Sequence, residues 1–121
     1  MDLKNKLLLT FGAIAVFFVV LILLAGGSSG KVYEDDSSPV MYFYSPTCSH
    51  CIAMTPILEK LGSSGGFRVK PMNVKANPSY WTQYSVEGTP TWVAANGDRI
   101  VGEQTEVFLR VWLESHGAKI K

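Results

Sequence analysis

Only two cysteines occur in 121 residues, too few to staple a small fold with several disulfides. Charged residues make up 17% of the chain, and the formal net charge is +1. With no basic block, the sequence has no electrostatic footprint for nucleic acid. Apolar residues reach 47%, which excludes a disordered polar tail and a collagen-like repeat. The length suits one folded domain rather than two. The apolar residues, however, are unevenly placed, and much of their excess lies in one run near the N-terminus.

Residues 7–25 read LLLTFGAIAVFFVVLILLA, without a charge and with Thr10 as the one polar side chain. At helical rise this run spans roughly 28 Å, about the hydrocarbon thickness of a bilayer. A domain of this size has no core deep enough to cover every face of such a helix. The expectation is one N-terminal transmembrane helix, an uncleaved signal anchor. A cleaved signal is the alternative, because Ala25, Gly26 and Gly27 are small, although a secretory apolar region is usually only about 7 to 15 residues long. Lys4 and Lys6 precede the run and place the N-terminus in the cytoplasm, with the rest of the chain facing out. Either route delivers the remainder to a compartment that permits disulfides.

The expected organisation is then a cytoplasmic stretch at 1–6, an anchor at 7–25, a flexible linker at 26–39, a folded domain at 40–117 and a tail at 118–121. The linker, GGSSGKVYEDDSSP, is rich in glycine, serine and acids, including Glu34, Asp35 and Asp36. Such a chain reaches about 20 Å by the square-root rule. Residues 31–121 carry nine Lys/Arg and nine Asp/Glu, so no polybasic patch docks this part on anionic lipid.

From Val40 the pattern becomes regular. Residues 40–44 are apolar and aromatic between Pro39 and Pro46, a buried strand. Residues 48–61 carry Ile57, Leu58 and Leu61 at helical spacing, and a glycine-rich break follows at 62–66. Residues 67–74 suit a second strand. Asn77 and Pro78 signal the cap and first position of a short helix to about Ser85. Residues 91–95 and 99–102 read as strands joined by an Asn96-Gly97 hairpin turn. Thr105 can cap a last helix at 106–115, with Phe108, Val111 and Trp112 facing the sheet and Gly117 ending it. The order βαβαββα makes the first two strands parallel and the last two antiparallel, an α/β arrangement with helices covering a four-stranded mixed sheet.

Cys48-Ser49-His50-Cys51 carries the chemistry. A cysteine at a helix N-terminus meets unpaired N–H groups and the positive end of the dipole, which favour its thiolate. The second cysteine, one turn on, lies within disulfide reach. An imidazole at His50 can add positive charge, and a stabler thiolate makes the disulfide a better oxidant. Other readings of the pair stay open. Zinc wants four ligands, and His50 and His116 would have to complete the set. Two thiolates alone can hold Cu(I). A disulfide of purely structural purpose would close too short a loop to stabilise the chain much.

With these elements laid out, residues 40–115 resemble the thioredoxin superfamily. The stretch FYSPTCSHC is similar to its active-site strand and turn. Pro56 falls where members often kink the helix. NVKANPSYWTQYSVEGTPT is similar to the stretch leading to the family's cis-proline, here Pro90 after Thr89. The resemblance implies a minimal thioredoxin-like fold, an extended substrate chain pairing beside Thr89 and Pro90, and no organic cofactor or resident metal. Within the superfamily the CxHC dithiol resembles those of the DsbA and protein disulfide isomerase groups. Three departures stand out. Tyr42 occupies a position that is often a buried acid moving the second cysteine's proton. Thr47 stands where a tryptophan commonly precedes the first cysteine. No inserted helical domain is present to grip substrates.

The expected function is a membrane-tethered thiol–disulfide oxidoreductase acting on exported protein thiols and disulfides. Cys48 and Cys51 are its catalytic pair, His50 tunes the potential, and Thr89 and Pro90 line the substrate groove. Protein substrates and a membrane redox partner are implied, but the direction of electron flow is left open. The alternatives are a copper-handling or cytochrome-maturation thiol reductant and a redox-inactive binding module. Tyr44, Trp81 and Trp92 are candidates either for apolar surface near the pair or for core packing.

Overall fold

Strand β1 (Val40–Tyr44) is the element around which the others assemble. Its VMYFY sequence is β-branched and aromatic, and successive residues alternate between two apolar environments. Val40 and Tyr42 enter one cluster of buried side chains, and Phe43 enters another. The computed structural model of the chain describes residues 30–120. The stretch 1–6, the anchor expected at 7–25, the first residues of the expected linker and Lys121 lie outside the described residues.

The remaining elements are α1 (Ser49–Gly65), β2 (Lys70–Asn73), α2 (Tyr80–Gln83), β3 (Thr91–Ala94), β4 (Arg99–Val101) and α3 (Glu106–Ser115). The order is βαβαββα, as the sequence predicts. The four strands form one mixed sheet in the order β2-β1-β3-β4. β1 runs parallel to β2, with Phe43 opposite Met72, and antiparallel to β3, with Tyr42 opposite Trp92. β3 and β4 are antiparallel. Pro71 sits in β2, an outer strand where a missing N–H is tolerated.

One face of the sheet packs Tyr42 and Trp92 against Met54, Leu58 and Leu61 of α1 and Leu109 and Leu113 of α3. The other buries Phe43, Met72 and Val93 beneath Tyr80 and Tyr84. Trp92 is fully buried, and its Nε1 has no hydrogen-bond partner among the described residues.

Several boundaries differ from the sequence reading, each for a local reason. Helix α1 continues through Gly62 to Gly65 and ends at Gly66, whose φ of 69° is left-handed. Gly62 marks a close approach rather than a break, since a Cβ there would lie 3.0 Å from Tyr33 Cβ. Strand β2 starts at Lys70 rather than at 67, because Val69 pairs elsewhere. Its N–H donates to Tyr33 O at 2.7 Å, and its carbonyl accepts from Asp35 N at 2.9 Å. Asn77 and Pro78 precede α2 instead of opening it. Asn73 Oδ1 captures the N–H groups of Lys75 and Ala76, and Asn73 O accepts from Asn77 N. The chain therefore turns before the helix begins at Tyr80.

Thr105 caps α3 as expected, accepting from Phe108 N at 3.2 Å. The face that packs is different. Leu109 and Leu113 are fully buried, while Phe108 and Val111 are 50% and 62% exposed. The leucines lie i, i+4 apart and bring the half-buried Trp112 with them, so Phe108 and Val111 turn outward. His116 closes this helix against the hairpin, with Nε2 2.9 Å from Asp98 Oδ2 and Nδ1 2.7 Å from Trp112 O.

The largest correction concerns the ends of the domain. Residues 31–39, read as linker, belong to the folded unit. Tyr33 is only 4% exposed and sits in the main core, and Glu34 forms a parallel bridge with Val69. Ala118 is buried and Lys119 bridges Phe67, so these residues of the expected tail also belong to the fold. Glycine, serine and acid content signalled a flexible tether, but one aromatic side chain with a glycine-lined seat overrides that composition.

Replacing Tyr33 by Ala therefore tests where the domain begins. Large aromatic-to-alanine changes in cores cost about 3 kcal/mol or more, so Y33A should lower the unfolding free energy of a fragment starting at Lys31, measured by denaturant titration, by about that amount. A tether residue would leave it unchanged.

Candidate functional site

β1 ends at Tyr44, and the chain turns through Ser45, Pro46 and Thr47 into α1. Cys48 N donates to Ser45 O at 3.1 Å, and Ile52 N donates to Cys48 O at 3.0 Å. Cys48 is the extended residue capping α1, with φ −78° and ψ 122°. The free N–H groups of the first helical turn therefore point toward its sulfur. Cys48 is half-buried and Cys51, one turn on, is buried, and both are free thiols.

The segment before β3 completes the arrangement. The Thr89–Pro90 peptide bond is cis, and Thr89 O lies 3.6 Å from Cys48 Sγ, accepting from the thiol. Pro90 is fully buried. Thr91, also buried, donates its hydroxyl to Gly88 O at 2.6 Å. The structure thus brings Cys48 and Cys51, at the head of α1, together with Thr89 and Pro90 from the segment before β3.

The two thiols are pushed in opposite directions. At Cys48, burial opposes ionisation, but hydrogen bonds to the sulfur from the Thr89 side chain and from the N–H groups of Cys51 and His50 outweigh it and bring the thiol down to about 7. At Cys51, burial dominates, and the neighbouring Cys48 adds to it, so that thiol is raised. The outer sulfur is the ready nucleophile, and the inner one stays protonated until a base or a reaction step takes its proton.

The His50 ring pairs with Glu103. It is exposed, with Nδ1 2.7 Å from Glu103 Oε1. The hydrogen bond to Glu103 raises the imidazole above its ordinary value, and charge attraction to Glu103 and Cys48 adds to the effect. Sequence reasoning missed Glu103, which lies 53 positions away in the loop between β4 and α3. Nothing local to that loop announces it.

Tyr42 is buried beneath the pair, stacked on Trp92 at 5.0 Å and on Tyr44 at 5.4 Å. Burial, followed by the charge of Cys51, drives its phenol far above the usual tyrosine range, so it stays neutral. Trp92 serves the core, Trp81 is 37% exposed, and Tyr44 lines a cavity of about 350 Å³ behind Cys51. Tyr33, Lys31 and Glu34, all from the stretch read as linker, share that lining. Their composition concealed them. Among the described residues, no group of three or more His, Cys, Asp or Glu is placed to hold a metal ion.

The thioredoxin family model matches residues 28–114. The chain belongs to the thioredoxin family. As a member, it is a thiol–disulfide oxidoreductase. It is 26% identical over 92 residues to Thioredoxin 1 of Nostoc sp., covering 71% of this chain and 86% of that protein. It is 35% identical over 63 residues to a protein disulfide-isomerase A6 homolog of Drosophila melanogaster, covering 50% of this chain but 14% of that much longer protein. Among solved structures, a mutant thioredoxin from Halobacterium salinarum superposes with a TM-score of 0.56 at 27% identity, covering 71% of this chain and 80% of that one. The thioredoxin match begins at residue 28, in keeping with the packing of residues 31–39.

The His50–Glu103 pair gives a titration with a definite sign. Because the folded value is raised, the pairing contributes while pH is below the ordinary histidine value of 6.5 and is lost as pH rises through the folded value. In Glu103→Gln the His50 ring should titrate at lower pH than in the parent, as read by NMR. An unchanged midpoint would mean that the contact does not hold in solution.

Proposed function

We propose that the chain is a membrane-tethered thiol–disulfide oxidoreductase acting on protein thiols and disulfides outside the cytoplasm. The observation that carries the reading is the unequal pair. An accessible thiol lowered to about 7 stands one helical turn from a buried thiol that is raised. Cys48 exchanges with a substrate sulfur, a mixed disulfide forms there, and Cys51 resolves it. Thr89 and Pro90 border Cys48 and offer backbone to an extended substrate chain. His50 adjusts the balance through its N–H and the charge on its ring.

The tether is the apolar run at 7–25, with Lys4 and Lys6 holding the N-terminus inside. The resemblance to the DsbA and protein disulfide isomerase groups, together with that export signal, supports substrates in an oxidising compartment and a redox partner in the same membrane. A lowered Cys48 favours an oxidising disulfide, because the stabler thiolate is the better leaving group.

Two variants of the full-length protein test the roles. Cys48→Ser should abolish exchange. Cys51→Ser should accumulate mixed disulfides with substrate, visible as reductant-sensitive adducts on gels. Normal turnover in either variant would overturn the assignment. In intact cells, a membrane-impermeant alkylating reagent should reach Cys48 of the membrane-bound protein, and labelling only after lysis would reject the topology.

A further inference from the structure

Cys51 must lose a proton each time it attacks and regain one each time the pair is reduced. Burial raises its thiol, so water alone is a poor acceptor. Tyr42, the residue beneath it, is neutral and cannot take the proton. The cavity behind Cys51 offers another route. It holds about 350 Å³, against about 30 Å³ per water molecule. Cys51 and Glu34 both line it, together with Tyr33, Tyr44 and Thr55.

The Glu34 backbone is fixed rather than loose. Its N–H donates to Lys31 O at 3.0 Å, and the residue bridges Val69. Its carboxylate acts on the phenols around it: after burial, Glu34 is the next cause raising both Tyr33 and Tyr44. The other charged groups at this site are Lys31, whose Nζ lies 3.8 Å from Glu59 Oε1, and Glu59 itself. Lys31 is therefore already partly neutralised, and Glu34 is the acid that lines the cavity with Cys51.

We propose that Glu34 receives the proton of Cys51 through water in the cavity they share. The inference rests on the exchange reaction proposed above. In the mixed disulfide, the Cys51 sulfur attacks Cys48 Sγ as its proton leaves. The Cys48–Cys51 bond forms, the bond from Cys48 to the partner breaks, and the partner departs with the electron pair as a thiolate. The proton passes over water to the Glu34 carboxylate and then to solvent. In the reverse direction Glu34 returns it to Cys51. A carboxylate supplied from the segment before β1 thus stands in for an acid within β1.

The test follows the two steps separately in the reduced full-length protein mixed with excess oxidised glutathione. Acid-quenched samples read by mass separate the glutathione adduct at Cys48 from the internal disulfide. General-base assistance is typically worth about 10²–10⁴-fold, and a route through water should lie at or below the lower end. In Glu34→Gln, adduct formation should keep its rate and the second step should slow by about tenfold or more. The rise of the second step with pH should also shift upward, and Glu34→Asp should recover part of the rate. Acetate should accelerate the second step in Glu34→Ala but not in the parent, a rescue that a merely structural residue would not show. An unchanged second step and pH profile in Glu34→Gln, or no effect of acetate in Glu34→Ala, overturns the role of Glu34 while leaving the exchange reaction intact. Failure of the parent to form any adduct would instead overturn the exchange reaction.

Discussion

Ionising Cys48 near neutral pH runs against its partly buried setting, and hydrogen bonds from Thr89 and from the N–H groups at the start of α1 are what reverse the balance. At an ordinary value of 9.0, about one thiol in a hundred is ionised at pH 7. At about 7, roughly half are. The donors reach the sulfur only because Cys48 occupies the cap of α1 and the Thr89 side chain is brought beside it from the end of a distant loop. Both conditions depend on β1 being internal to the sheet. β2 and β3 flank it, and its C-terminal end is therefore fixed where the helix has to start.

The same burial that disfavours the thiolate at Cys48 does useful work at Cys51. The inner thiol faces a wall of Tyr42 stacked on Trp92, a surface with little capacity to solvate charge. The two sulfurs are three positions apart and differ mainly in what they touch. One meets donors at a helix end, and at the other burial outweighs the donors that reach it. A charged side chain in place of Tyr42 would soften that contrast. In this chain the charged groups that line the cavity with Cys51 are Lys31 and Glu34, and they come from the stretch that precedes the sheet. The packing of Tyr33 against Gly62 is thus tied to the chemistry, because it holds those residues in place.

Much of this was legible from residues alone, and where it was not, the cause is physical. The strands around β1 and the CxxC at the head of a helix follow from alternation, cap signals and spacing, all of them local properties. The register of α3 was misjudged because Phe108, Val111 and Trp112 make as good an apolar stripe as Leu109, Trp112 and Leu113. Only the partner surface chooses between them. Residues 31–39 have the composition of a linker, but Ser and Asp also build tight turns. Asp35 Oδ1 accepts from both the N–H and the hydroxyl of Ser37, so an acidic, serine-rich segment is here a folded one. Glu103 and Glu34 act across long sequence separations and carry no local signature.

The role of His50 is narrower than its place between the cysteines suggests. Its ring turns to Glu103 at 2.7 Å. The pair therefore presents Cys48 with a positive and a negative charge together, whose fields largely cancel at a distance. Both groups are exposed, where solvent and salt weaken what remains. The contributions that lower Cys48 come from hydrogen bonds, and among them His50 enters through its backbone N–H, which any residue but proline would supply at that position. Breaking the contact with Glu103 has two opposed effects: the ring holds its proton less firmly, but when protonated it is no longer offset. The first weakens and the second strengthens the pull on the thiolate, so the sum depends on pH. Below the ring's own titration the unshielded charge favours the thiolate, and above it the ring has no charge to offer.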